Sequence, residues 1–330
     1  MVEEIAPGVF RMPIPLPGSI LGSVNAYVVK GRERSLIVDP GMDLDPCMRE
    51  MDEGLRRIGV DAAKSDFFIT HSHPDHFPLV ARLIRAGSVI YIDRREAESR
   101  ERAISGAMFA VIREFLRAAG FPDTDLREIL SPEITQPSPV KEAWPFTFVK
   151  DGYRIGVGDY RFHCVSTPGH SPGHTCLYEP ASGILLAGDH LLWDITPGIQ
   201  ARIDREDPLA DYLDSLDRVY PLDVRVVLPG HRDPFTRFRE RIDELKEHHR
   251  ERGAEIASEL KGGGRGVYEL ASRITWSVVD AGSWSDAPDL QKLLATGETF
   301  AHLKYLEASG AVRSEMRDGR IIFFLAQAAN

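Results

Sequence analysis

Residues 70–76 read THSHPDH, three histidines and an aspartate in seven positions, directly after the apolar run DFFI at 66–69. A solvated loop needs none of these side chains, and a buried turn would struggle to satisfy them. Imidazole and carboxylate are the donors that borderline divalent metals such as Zn²⁺ prefer. Alternate residues of an extended turn point to one side. His71 and His73 can then reach one metal while Asp75 and His76 reach another. Pro74 stiffens the turn and lowers the entropy cost of holding the donors in place.

Three later stretches repeat the arrangement. TPGHSPGH at 167–174 carries His170, LLAGDH at 185–190 carries Asp189, and VVLPGH at 226–231 carries His231. Each donor follows a strand-like segment and stands behind Pro or Gly, at a strand end where α/β sheets build their sites. Four such loops supply seven candidate metal ligands: His71, His73, Asp75, His76, His170, Asp189 and His231. His190, directly after Asp189, is a candidate proton donor or a residue that bonds a ligand carboxylate or backbone. His174 draws the same structural reading.

The remaining composition narrows the class. The chain has 330 residues, suiting one large domain or a large one plus a small one. No apolar run approaches eighteen residues, and the start MVEEIAPGVF lacks a basic, then apolar, leader pattern, so a cytoplasmic protein without membrane contact is expected. A net charge of −10 argues against a general polyanion binder. Cys47, Cys164 and Cys176 show no CxxC spacing; Cys164 and Cys176, in strand-like segments, read as small apolar residues rather than as redox or nucleophilic groups.

Along the chain, GVFRMPIP, VNAYVVK and SLIVDPG read as strands, and DPCMREMDEGLRRIG reads as a helix stopping at Gly59. FPLVARLIRAG reads as a helix and SVIYID as a strand. Residues 94–145 break the rhythm and read as a helical insertion. Within it RREAESRERAISGAMFAVIREFLRAAG forms one long helical pattern, and its stripe of Ile104, Met108, Val111, Ile112, Phe115 and Leu116 packs on a core or walls a substrate entrance. GVGD reads as a hairpin turn. From residue 236 a long charged helix leads to KGGGRG, two helical segments and a hairpin turning at Asp318-Gly319. His163, His248, His249 and His302 read as structural, with His248 and His249 solvated on the charged helix. Residues 1–235 are thus expected as a catalytic domain, and 236–330 as a long helix plus a small winged-helix-like domain.

The set HxHxDH, GH, GD and PGH, in this order, resembles the metallo-β-lactamase-fold hydrolases over residues 5–235. SVNAYVV and SLIVDPG look like that family's opening strands, with Asp39 and Gly41 in the turn beside the site. The resemblance implies an α/β fold, a four-layer αββα sandwich with a two-metal site at one edge of its paired sheets. It implies that His71, His73 and His170 hold the first metal, that Asp75, His76 and His231 hold the second, and that Asp189 bridges them. The winged-helix-like end is similar to a hydroxyacylglutathione hydrolase-like or lactamase-like subgroup, which resembles both thioesterases and single-strand endoribonucleases.

The expected chemistry is that of a dinuclear-metal hydrolase. Two divalent ions, Zn²⁺ first with Fe or Mn as alternatives, share a water, generate a bridging hydroxide near neutral pH and stabilise the developing oxyanion. Asp75 orients that hydroxide and shuttles its proton. The substrate expected is a small-molecule thioester or related ester, because a thiolate needs little acid help to leave. The rival is a metal-dependent endoribonuclease acting on single-stranded RNA, and a third reading is a binding protein with a vestigial site, which the complete donor set opposes. Residues 239–330 carry thirteen Lys and Arg against fifteen Asp and Glu, so the tail reads as a packing, homodimerisation or substrate-wall module rather than a nucleic-acid reader. Relatives that open β-lactams carry Cys where this chain has Asp189. Flavin-linked di-iron relatives carry Glu where it has His73. Neither activity is expected.

Overall fold

The short apolar runs of the first half fold as strands in the computed structural model, which describes residues 2–122, 144–276 and 284–326. The chain divides into two units, residues 1–101, 139–197 and 215–242, and residues 102–138, 198–214 and 243–330. In the first unit a seven-stranded sheet runs β1 (Glu3–Ala6), β2 (Val9–Pro15), β3 (Ser23–Val29), β4 (Ser35–Val38), β5 (Ser65–Phe68), β6 (Ile90–Asp93) and β7 (Phe146–Val149), in that spatial order. β1 to β4 pair antiparallel, and β4 to β7 pair parallel. A five-stranded sheet follows in the order β12 (Val226–Pro229), β11 (Ile184–Gly188), β10 (Thr175–Glu179), β9 (Tyr160–Ser166) and β8 (Arg154–Val157). Only β11 and β12 pair parallel within it.

Strand alternation sorts the core into two layers. Val24, Ala26 and Val28 of β3 pack with Met51 and Leu55 of α1 (Asp45–Ile58), on the outer face of the first sheet. Tyr27 and Val29 point the other way and share a cluster with Phe162, Cys164 and Leu177 of the second sheet. That period of two makes the first unit a sandwich. Burying each such Leu, Val or Phe fully stabilises the fold by about 1.5–3 kcal/mol. Cys47, Cys164 and Cys176 are all free and buried, as small apolar residues would be.

Most punctuation reads through to structure. α1 ends where Gly59 adopts φ 67°, its N–H returning to Arg56 and Leu55 carbonyls. The GVGD hairpin turns at Gly158, φ 56°. Two expectations change. FPLVARLIRAG is helical only over α2 (Val80–Leu83), because the amide of Leu79 is taken by the Gly41 carbonyl and Ile84 is already extended. The long pattern from residue 94 is two helices, α3 (Arg94–Ile104) and α4 (Ala107–Ala119), broken at Gly106 with φ 78°. Residues 123–143 of the Pro-rich stretch lie outside the described residues.

In the second unit Phe115 of α4 packs against Phe300, ring centroids 5.1 Å apart, which employs that part of the apolar stripe in packing. After α5 (Pro208–Val219) and α6 (Phe238–Glu259) come α7 (Val267–Ala271), α8 (Asp289–Ala308) and a three-stranded antiparallel sheet. Its order is β13 (Arg265–Gly266), β15 (Arg320–Leu325) and β14 (Val312–Arg317), with the β14–β15 turn at Asp318 and Gly319, both at positive φ. His249 is not solvated. Leu245, His249, Arg252 and Ile256 form one buried stripe of α6, and His249 Nδ1 lies 3.2 Å from His302 Nε2.

Burial and neighbouring His302 push the His249 imidazole down to about 2, and burial pushes His302 down to about 4. The unfolded chain protonates these rings near pH 6.5, about where free imidazole titrates, while the folded pair stays neutral. Stability is therefore present above that pH and is lost as pH falls toward 4, by about 1.4 kcal/mol per proton per pH unit. Urea midpoints of the wild type and of a His249→Leu/His302→Leu variant, taken at pH 7.5 and pH 5, test this. The variant is expected to lose less on acidification, and equal losses would refute the assignment.

Candidate metal centre

Parallel pairing brings the donor loops to one edge. β4 and β5 end together at the Val38–Phe68 pair, and β11 and β12 end together at Gly188–Pro229. β9 ends at Ser166 beside the start of β10 at Thr175. The two sheet edges are joined by backbone bonds: the Thr175 amide donates to Thr70 O (3.0 Å) and the Asn25 amide to Gly230 O (2.7 Å). The Asn25 side-chain amide and the Tyr27 hydroxyl both donate to Pro229 O, at 3.0 and 2.8 Å. Two glycines of the motifs admit no side chain here. A Cβ at Gly230 would lie 2.4 Å from Asp189 Oδ1, and one at Gly188 would lie 2.6 Å from Thr70 Oγ1.

All seven predicted donors converge. Around the Asp189 carboxylate stand His231 Nε2 at 3.5 Å, His76 Nε2 at 3.6 Å, His170 Nε2 at 3.7 Å and His71 Nε2 at 4.0 Å. His170 Nε2 is 3.0 Å from His73 Nδ1, and Asp75 Oδ2 is 3.2 Å from His231 Nε2. Two metal-capable groups result, His71–His73–His170 and Asp75–His76–His231, with Asp189 against both. A third cluster, Asp39–His71–His76, has its carboxylate otherwise engaged. Asp39 accepts the Thr70 hydroxyl (2.6 Å), the Thr70 amide (2.9 Å) and His76 Nδ1–H (3.0 Å).

These outer bonds aim the rings. His76 Nδ1 is held by Asp39, His231 Nδ1–H by Ser23 O at 2.9 Å, and His71 Nδ1–H by the Thr70 hydroxyl at 3.0 Å. Each Nε2 is thereby turned inward, the arrangement that orients a metal-ligating imidazole. Among the described residues, His71, His76 and His231 Nε2 and Asp189 Oδ1 are buried without a well-formed hydrogen bond, although carboxylate and imidazole atoms stand 3.2–4.0 Å away. Buried polar atoms without partners call for an explanation, and divalent cations coordinated by these nitrogens and oxygens supply one. The residues present fit two such ions.

The charges within the cluster shift one another strongly. Burial pushes the Asp75 and Asp189 carboxyls up, but the imidazoles of His76 and His231 outweigh it and hold both well below the usual carboxylate range. Burial pulls His76 and His231 down, yet Asp189 and Asp75 raise both, His231 to about 10. His71, buried and beside other imidazoles, is driven low. Divalent ions held by these nitrogens would compete with protons on His76 and His231, so their binding would weaken in acid.

His174 and His190 stand outside both groups. His174 bonds Thr167 Oγ1 through Nδ1 at 2.8 Å, and its Nε2 accepts the Asp189 amide at 3.2 Å. His190 is fully buried, and burial, with the His170 imidazole nearby, pushes it down to about 3. Sequence reading did not find Thr70, Asn25, Tyr27 or Ser23. These residues act through bonds to loops distant in sequence, so no spacing marks them.

Residues 20–231 match the metallo-beta-lactamase superfamily, and the chain belongs to that family. Its strands and helices make a mixed α/β sandwich of the metallo-β-lactamase fold. It is 26% identical to a probable metallo-hydrolase, YqjP, of Bacillus subtilis, over 96% of this chain and 97% of that one. It is 27% identical to the acyl-coenzyme A thioesterase MBLAC2 of Gallus gallus, over 64% of this chain and 73% of that one. The crystal structure of a metallo-beta-lactamase family protein from Thermus thermophilus is similar with a TM-score of 0.80 and 28% identity, covering 98% of this chain and 100% of that one. The protein is a metallo-hydrolase of this superfamily.

Elemental analysis of the purified protein is expected to find about two ions per chain, the content of a two-metal hydrolase site. Asp189→Ala is expected to cost several orders of magnitude in rate together with metal content. His163→Ala, on β9 outside the site, is expected to be nearly silent. Equal losses from the two variants would place the site elsewhere.

Proposed function

We propose that the protein is a dinuclear-metal hydrolase of a thioester or related ester, loaded with zinc, with iron or manganese as alternatives. The observation that carries this is the Asp189 carboxylate set between two donor groups of imidazole and carboxylate, with no thiol among them. His71, His73 and His170 would hold one ion, Asp75, His76 and His231 the other, with Asp189 between. Bound divalent ions supply Lewis acidity and a water of lowered pKa.

The chain's own residues handle the proton. The Asp75 side chain is 25% exposed against 10% for Asp189, so it is the more open site carboxylate, and the one we assign to orient the nucleophile and relay its proton. His190, fully buried and pushed low by burial, supports the loop behind Asp189 rather than donating to a leaving group. A substrate whose leaving group departs unaided suits this arrangement, and a thiol with pKa near 8.5 is such a group. The chicken relative's thioesterase activity supports the same class. An RNA oxygen leaves at far higher pKa and needs a donor. The tail, with more acidic than basic residues, serves packing, dimerisation or a substrate wall.

A panel of acyl thioesters, lactones, phosphodiesters and single-stranded RNA tests the reading. Thioester turnover that stops on chelation and returns with Zn²⁺ is expected. His190→Ala is expected to lower it less than tenfold, well short of the roughly 10²–10⁴-fold of a general acid. RNA cleavage without thioester turnover, severely reduced by His190→Ala and with binding that weakens as salt rises, would replace it with the endoribonuclease.

A further inference from the structure

Glu96 lies in the first turn of α3 with its side chain buried. Four donors meet its two oxygens. Oε2 accepts the Ser72 amide and the Ser72 hydroxyl, each at 2.8 Å. Oε1 accepts the Ser171 hydroxyl at 2.7 Å and the Gly173 amide at 2.6 Å. Ser72 stands between His71 and His73, and Ser171 directly follows His170. One carboxylate therefore ties together the two loops that carry the first donor group. Gly173 makes the approach feasible, because a Cβ there would meet Asp93 Oδ1 at 2.6 Å. The second group is held otherwise, through Asp39 on His76 and Ser23 O on His231.

We infer that Glu96 is a positioning residue that sets the geometry of the His71–His73–His170 ion site and leaves the Asp75–His76–His231 site alone. This rests on the two-ion reading above. A charge-assisted bond from each loop to a shared, buried acceptor is stronger than a neutral one and restricts loop motion. The carboxylate's bonds go to Ser72, Ser171 and Gly173 of the two loops and not to the donor imidazoles. Its effect is on the spacing of the imidazoles. Glu96→Gln is informative because its NH₂ would face a backbone N–H of Ser72 or Gly173, which cannot accept.

Zn²⁺ titration against a chromophoric chelator, with Co²⁺ spectra as a second readout, tests this on the full chain. Wild type is expected to bind two ions. Glu96→Ala is expected to weaken one by about 10–100-fold, the usual loss for a missing outer-layer partner, and to leave the other within about threefold. Glu96→Gln should fall between them. If Glu96→Ala fails to fold, Ser72→Ala/Ser171→Ala keeps both amide bonds and should show the same selective loss, smaller in size. Two ions bound with unchanged affinity in the folded variants would overturn the role of Glu96 and leave the metal centre standing. Equal weakening of both ions with a lowered unfolding midpoint would reduce Glu96 to a fold-supporting residue. A wild type that binds no stoichiometric metal would instead sink the two-ion reading itself.

Discussion

A buried carboxylate with imidazole nitrogens 3.5–4.0 Å from it is the constraint on which the first unit is organised. Asp189 needs opposite charge nearby to stay ionised at that depth, and the rings beside it need either protons or cations on their inward nitrogens. Both demands are met only if four loops from two sheets reach one point. Parallel pairing of β4 with β5 and of β11 with β12 makes that convergence a consequence of topology, since parallel strands end on the same side.

Bringing two sheet edges together would ordinarily leave backbone groups without partners. Here Thr70 O takes the Thr175 amide, and Asn25 bonds Pro229 and Gly230, across the joint. The glycines at 188 and 230 are part of the same solution, because a side chain at 230 would occupy the space of Asp189 and one at 188 that of the Thr70 hydroxyl. Rigidity at the joint also matters chemically. Imidazoles held by bonds on their far nitrogens stay aimed at the centre, so the arrangement is organised before an ion or substrate arrives.

The second unit shows how polarity in sequence can mislead about burial. α6 looks uniformly charged, yet its stripe of Leu245, His249, Arg252 and Ile256 is covered. His249 and His302 pair as neutral rings, with His302 Nδ1 bonded to the Glu298 carbonyl. Composition suggested a solvated surface; a helix repeat of 3.6 residues permitted one hidden face, and packing chose which.

The sequence by itself determined the seven candidate donors that the fold brings together, the turn residues that free space for them, the end of α1 at Gly59 and the hairpin at Asp318-Gly319. These are local matters. A metal donor must come from a few residue types wherever it lies, and a tight approach or a positive φ leaves a glycine in the text. The tertiary structure alone decided that α3 would place Glu96 between Ser72 and Ser171, that Asp39 would orient His76, and that His249 would be buried. Those outcomes depend on which distant segments meet. A carboxylate that accepts four hydrogen bonds is written with the same letter as one that faces water, and only the fold distinguishes them.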